Sequence, residues 1–131
     1  MNKILLVEDD AVLLEMYKDK FVHEGYDVQT AVEGQDGIGK MRSFQPDVVL
    51  LDLIMPGVTG FDVLKLAKDD PVLTKIPILV LTNIFADAED LVKNWGAESF
   101  MLKSNYTPED IVTKVQQILS RKTPERTDQT N

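Results

Sequence analysis

Gln45-Pro46-Asp47-Val48-Val49-Leu50-Leu51-Asp52-Leu53-Ile54-Met55-Pro56-Gly57-Val58-Thr59-Gly60 is the stretch on which the fold turns. Pro46-Asp47 is a loop signal, and the apolar run 48–51 follows it directly. Four Val and Leu residues between turn signals read as a strand buried on both faces, the kind found in parallel sheets. The run stops at a single carboxylate, Asp52, and the chain breaks soon after at Pro56-Gly57. A carboxylate at the carboxyl end of a buried strand is costly without partners. A metal, a lysine or a reaction has to compensate it.

Outward from this strand the chain alternates. Residues 3–7 are a short apolar strand that ends in Glu8, Asp9 and Asp10. From 11 to about 24, Leu13, Leu14, Tyr17 and Phe21 recur at helical spacing, and Gly25 is a natural stop. Residues 26–30 alternate as a strand. Residues 33–43 read as a helix weakened by Gly34, Gly37 and Gly39, each costing roughly 0.5–1 kcal/mol relative to Ala. Beyond the central strand come a helix over about 61–69 and a second fully apolar strand at 78–81, ending at Thr82-Asn83. A helix over about 86–95 stops at Gly96, and a fifth strand at 98–102 ends at Lys103. Thr107-Pro108-Glu109-Asp110 supplies an N-cap, a Pro at the first helical position and first-turn acids for a last helix reaching about Ser120. Residues 121–131 carry no Val, Leu, Ile, Met or aromatic side chain. They predict a disordered polar tail, or the first residues of a linker.

Five strands alternating with five helices predict an α/β fold over 1–120: a doubly wound (βα)5 three-layer sandwich around a parallel sheet. Right-handed crossovers restrict its topology sharply.

At 131 residues the chain suits one domain with a proper core. A formal net charge of −8 argues against non-specific binding to nucleic acid or to an anionic membrane. The absence of cysteine excludes disulfides, thiolate zinc sites and a Cys nucleophile. No apolar run approaches the ~20 residues of a membrane span, and residues 4–7 are too short for a signal peptide. A cytoplasmic location is the expectation.

In an open parallel sheet, ligands bind beyond the carboxyl ends of the strands. Here those ends deliver Glu8, Asp9 and Asp10 from the first strand, Asp52 from the third, Thr82 from the fourth and Lys103 from the fifth. Clustered carboxylates beside one Lys repel one another unless a hard divalent cation joins them. Mg2+ suits such oxygen ligands and keeps a position for a phosphate oxygen. A carboxylate can itself become the nucleophile and form an aspartyl phosphate. Lys103 and the Thr82 hydroxyl could then hold the phosphoryl oxygens.

The residues match a known pattern. Ile-Leu-Leu-Val-Glu-Asp-Asp at 4–10, Pro-Asp-Val-Val-Leu-Leu-Asp-Leu-Ile-Met-Pro-Gly at 46–57, Thr82 and Phe-Met-Leu-Lys at 100–103 resemble the receiver domains of two-component response regulators. The resemblance covers 3 to about 120. It implies a flavodoxin-like sheet in the order 2-1-3-4-5, with Asp52 as phosphoacceptor. It further implies Mg2+, or Mn2+ in its place, held by Asp9 and Asp52 directly, by Glu8 through water and by the Ile54 carbonyl. Thr82 and Phe100 take the switch positions and Lys103 the phosphate-binding one. The implied donor is a phosphohistidine on a histidine kinase or a histidine phosphotransfer protein. Phosphorylation would remodel the face of the fourth helix, fifth strand and fifth helix for a downstream protein or for a homodimer. Such a domain is a switch promoting its own Mg2+-dependent phosphorylation and dephosphorylation, with no direct contact to nucleic acid or membrane. Three positions depart from the pattern. Asn83 replaces a small residue, Ser104 replaces the usual Pro after Lys103 and predicts a trans peptide there, and Phe100 lacks the hydroxyl of a Tyr.

Other readings compete. A non-phosphorylated receiver-like scaffold needs only the fold. An aspartyl-phosphate phosphohydrolase wants a second Asp two residues after the nucleophile, where this chain has Ile54. A flavodoxin-like cofactor binder wants a Gly/Ser/Thr-rich loop after the first strand, and none follows. Asp10 reads as a helix cap rather than a metal ligand, and His23 as a solvated residue. Ile84, Phe85 and Trp95, flanking the fourth helix, read either as core or as a partner-binding patch.

Overall fold

The computed structural model describes residues 2–83 and 87–129, with side chains throughout those ranges except at 88 and 122–129. Five strands, β1 (Lys3–Val7), β2 (Asp27–Ala31), β3 (Val48–Leu51), β4 (Ile78–Thr82) and β5 (Ser99–Leu102), form one sheet in the order β2-β1-β3-β4-β5. Every pairing is parallel. The helices are α1 (Ala11–His23), α2 (Gly34–Phe44), α3 (Gly60–Asp69), α4 (Ala88–Lys93) and α5 (Pro108–Gln129).

Because side chains alternate along a strand, each strand feeds two cores. Leu5, Val7, Val49, Leu51, Ile78 and Val80 pack with Met41, Val63, Leu64 and Leu91 of α2, α3 and α4. Ile4, Leu6, Val48, Leu50, Leu79 and Leu81 pack with Phe21 of α1 and with Ile111, Val115 and Ile118 of α5. β3 and β4 are buried along their whole length, which explains their uninterrupted apolar sequence.

Register sets what reaches the rim. Val7 lies opposite Leu51, so Glu8 and Asp52, one residue on, leave the sheet side by side. The Asp52 N–H still donates to the Val7 carbonyl at 3.1 Å. Thr82 lies opposite Leu102, which brings Lys103 to the same edge. Alternation puts Glu8, Asp52 and Lys103 in line with the α1/α5 core and Thr82 in line with the other.

Several boundaries move. α1 and α4 are each followed by a glycine at positive φ, Gly25 at 94° and Gly96 at 80°, where a Cβ would be strained. α4 starts at Ala88 because Asp87 caps it, accepting from the N–H groups of Glu89 and Asp90. It ends at Lys93, two residues before Trp95. Residues 84–86, including the predicted start of this helix and the Ile84-Phe85 patch, lie outside the described residues. Helix α5 continues past Ser120 to Gln129, where the sequence predicted a disordered tail from 121. Lengthening an existing helix needs no new nucleus. The Lys103–Ser104 peptide is trans, and a short 3-10 turn, Lys103–Asn105, takes the chain from β5 towards α5.

Candidate functional site

Glu8 and Asp52 are among the buried polar residues, at 5 % and 8 % exposure, and each is held by the chain around it. The Glu8 Oε2 accepts from the Asp10 N–H at 3.1 Å, and the Asp52 Oδ1 from the Ile54 N–H at 3.3 Å. Their other oxygens face one cation. The Lys103 ammonium donates to Asp52 Oδ2 at 3.1 Å and to Glu8 Oε1, across sequence separations of 51 and 95 residues. Asp9 stands beside them, exposed to solvent. Thr82 is buried at the end of β4. Phe100 is half-buried against the α2/α3 core.

Burial pushes the Glu8 carboxyl above the usual carboxylate range. Repulsion from Asp52 adds to this, while bonds from Lys103 and the Asp10 N–H oppose it. For Lys103 burial works downward, but the hydrogen bonds and charges of Glu8 and Asp52 outweigh it and hold the ammonium above its ordinary value. Both shifts share one origin. Two buried carboxylates face one ammonium, so an added proton is favoured on either partner.

A raised folded-state value means that the protonated Glu8 favours folding. This contribution is full below the ordinary value of 4.5 and is lost as pH rises through the folded value. Glu8→Gln removes that loss while keeping an acceptor for Lys103. In EDTA its melting temperature is expected to match wild type in acid and to exceed it by a few degrees at pH 7. Thermal unfolding followed from pH 4 to 8 checks this, and a difference independent of pH would refute it.

The acidic group also suits a hard cation. Mg2+ holds oxygens at about 2.0–2.1 Å, so ligands on opposite sides of the ion stand roughly 4.2 Å apart. One carboxylate oxygen from each of Glu8, Asp9 and Asp52 lies within 4.8 Å of the others. At most one of the three pairs can lie on opposite sides of an octahedral ion and the others stand roughly 2.9 Å apart, so the three oxygens would draw together around it.

The loop after Asp52 is held by Gly60. A Cβ there would stand 2.2 Å from the Asp52 carbonyl oxygen and 2.6 Å from the Leu53 Cα. The Gly60 N–H donates to the Leu53 carbonyl at 3.0 Å. Thr59 and Asp62 then start α3 with a reciprocal capping box.

The sequence-predicted residues Glu8, Asp9, Asp52 and Lys103 converge at one rim, with Thr82 ending the neighbouring strand. Asp10 caps α1, its Oδ1 accepting from Val12 and Leu13 N–H at 3.0 and 3.1 Å. His23 is exposed. Trp95 packs edge-on against Phe61, ring centroids 5.2 Å apart, on the α2/α3 core rather than as an open patch. One residue escaped sequence reading. Tyr17 counted as one more apolar position of α1, yet it lines a small void together with Glu8 and Asp52. Its hydroxyl was the only signal, since a phenol differs from the neighbouring Leu and Phe only there. Burial holds that phenol above its ordinary value, with Lys103 opposing and Glu8 and Asp52 adding to the effect.

Among the described residues no helix is long and apolar enough to cross a membrane. Comparison with solved structures matches the receiver domain protein of Methanospirillum hungatei at a TM-score of 0.85 and 26% identity, covering 95% of this chain and 98% of that one. The chemotaxis protein CheY4 of Vibrio cholerae matches at 0.81 and 28%, covering 90% and 98%. Among curated relatives, the DNA-binding response regulator MtrA of Mycobacterium tuberculosis is 34% identical over 122 residues, 92% of this chain and 51% of its own length. The transcriptional regulator RpaA of Synechocystis is 32% identical over 123 residues, 92% of this chain and 50% of its own. The chain thus spans about half the length of these relatives. The family model for the response regulator receiver domain matches residues 4–116, and with these likenesses it shows that the chain belongs to the receiver domains of two-component response regulators.

Proposed function

We propose that Asp52 accepts a phosphoryl group from the phosphohistidine of a histidine kinase or a histidine phosphotransfer protein, and that this sets the signalling state of the domain. The observation that carries the reading is the Lys103 ammonium lying between Glu8 and Asp52, each less than a tenth exposed. Asp52 is the carboxylate at the end of the central strand. Its oxygen attacks phosphorus as the N–P bond breaks, and the imidazole leaves with the bonding electron pair. Lys103 can turn from the carboxylates to a phosphoryl oxygen, and Thr82 is placed to approach another. Glu8, Asp9, Asp52 and the Ile54 carbonyl would hold the cation. When bound, Mg2+ neutralises charge on the acids and on the phosphoryl oxygens.

Both states exist before phosphorylation, and the phosphoryl group shifts their populations. In the phosphorylated state Thr82 moves inward and Phe100 packs deeper. The face of α4, β5 and α5 is then re-formed for a downstream protein or for a second copy. No turned-over substrate is part of this reading, so the domain acts as a switch rather than as an enzyme.

Intact mass after incubation with acetyl phosphate is the test, with and without Mg2+, on wild type and Asp52→Asn. One phosphoryl adduct that needs Mg2+ and disappears in Asp52→Asn is the expected result. An adduct that persists in Asp52→Asn refutes the assignment. Mg2+ binding with no adduct from acetyl phosphate or from any phosphohistidine donor would make the domain a scaffold.

A further inference from the structure

Helix α2 carries three glycines, and their surroundings differ. A Cβ on Gly39 would meet nothing within 4 Å, and one on Gly37 would stand 3.1 Å from the methyl groups of Val7. At Gly34 the contact is with main chain. A Cβ there would lie 2.3 Å from the Val58 carbonyl oxygen, 2.9 Å from Val58 Cγ1 and 3.0 Å from the Val58 carbonyl carbon. Gly34 is not among the glycines at positive φ, so a side chain there would lack space rather than a permitted backbone conformation. The start of α2 rests directly on the loop that follows Asp52.

That loop, residues 53–59, has little slack. Leu53 and Met55 are buried in the α2/α3 core, and Val58 packs against the same core. Ile54 is exposed between them. Pro56 fixes its own φ. Thr59 caps α3, and Gly60 stands against the Asp52 carbonyl with its N–H bonded to the Leu53 carbonyl at 3.0 Å. Val58 lies two residues before Gly60. A push at Val58 is therefore passed along the main chain to Gly60, and from Gly60 to the backbone of Asp52 and Leu53. Main-chain contacts at both places leave no side-chain rotation to absorb it.

We propose that Gly34 is a positioning residue of the cation and phosphoryl site. By carrying no side chain it seats Val58 against α2, and so fixes the loop that adjoins Asp52 and presents the Ile54 carbonyl. The inference rests on the function proposed above. Two helices then hold one loop, α2 at Val58 through Gly34 and α3 at Asp52 through Gly60. Gly34 acts only through this loop and touches no reacting atom. Its cost to helix propensity is offset by the close approach it permits.

Two measurements on Gly34→Ala, with Gly39→Ala as the control on the same helix, separate the seat from its role. The first is amide hydrogen exchange in EDTA, which involves neither cation nor phosphoryl group. The amides of Leu53, Ile54 and Gly60 are expected to lose about tenfold in protection relative to those of β3 and β4. An equal loss everywhere would mean plain destabilisation and would overturn the seat, as would an unchanged pattern. The second measurement is Mg2+ affinity, with the rate of phosphorylation by acetyl phosphate at saturating Mg2+. Each should fall about fivefold, short of the roughly hundredfold that a full ångström of misplacement can cost, while Gly39→Ala stays near wild type. A loosened loop with affinity and rate unchanged would overturn the positioning role. If Gly34→Ala does not fold, Val58→Gly decides in its place, because it frees the loop at the same contact without adding an atom to α2. The same losses are expected of it, and wild-type values would overturn the proposal. If wild type takes no phosphoryl group from any donor, the function proposed above fails, and exchange and Mg2+ affinity still decide the part played by Gly34.

Discussion

Lys103→Met is expected to lower the unfolding free energy of the metal-free protein by about 2–3 kcal/mol at pH 7. The substitution leaves Glu8 and Asp52 facing each other, both under a tenth exposed, with no cation between them. Removing one partner of a buried ion pair usually costs about 3–5 kcal/mol. Here the exposed side of the site, where Asp9 stands, lets water and protons relieve part of that cost. Mg2+ supplies the missing positive charge, so the variant should gain more stability from millimolar Mg2+ than wild type does, by the usual linkage of binding to folding. Urea unfolding in EDTA and in Mg2+ gives both numbers. An unchanged EDTA midpoint would show that the ammonium does not compensate the acids, and an Mg2+ gain no larger than wild type's would show that it does not compete with the cation. Phosphorylation-driven changes in hydrogen exchange over α4 and β5 should also be lost in this variant.

Gly60→Ala should disable the site from the opposite side. All three nearest neighbours of the added carbon are backbone atoms of Asp52 and Leu53, at 2.2, 2.6 and 2.9 Å. No side-chain rotation can relieve that contact. Either the start of α3 or the loop leaving β3 must move, and this loop carries Asp52 and Ile54. A destabilisation of about 3 kcal/mol is expected, at the upper end for an overpacked site. Mg2+ affinity and phosphorylation should each fall by more than tenfold, the scale expected when reacting groups shift by an ångström. Gly39→Ala is the control. Nothing lies within 4 Å of its added carbon, and the position is an exposed one inside α2. There Ala should stabilise by about 0.5–1 kcal/mol. Denaturation midpoints and intact-mass assays on the two variants decide the matter, and equal behaviour would show that the close approach at Gly60 is without consequence.

The limits of the sequence are visible residue by residue. Asp10 was legible as a cap because capping is local: an acid two and three residues before free N–H groups has one obvious use. Asp87 escaped the same logic, since the sequence predicts the start of this helix at about 86, one residue before the cap. Trp95 was undecidable, because a large aromatic after a short helix suits either a core or a surface. Phe61, which holds it, lies on a different helix. Tyr17 was hidden by its own periodicity, an apolar position that happens to carry an oxygen.

What the sequence determined by itself is the alternation of strands and helices, the burial of β3 and β4 on both faces, and the delivery of Glu8, Asp9, Asp52, Thr82 and Lys103 to strand ends. Each of these follows from short-range signals: apolar runs, turn residues and the two-residue period of a strand. No local signal tells which of those ends meet: the family resemblance implied the sheet order that brings them together, and the tertiary structure bears that order out. Lys103 reaches Asp52 and Glu8 across 51 and 95 residues because right-handed crossovers place β1 and β3 side by side at the centre of the sheet. The fit of Gly60 against Asp52 and of Tyr17 beneath the acids was decided by the tertiary structure alone. Contacts of that kind depend on how helices pack on a twisted sheet, to within an ångström, and no local pattern along the chain encodes them.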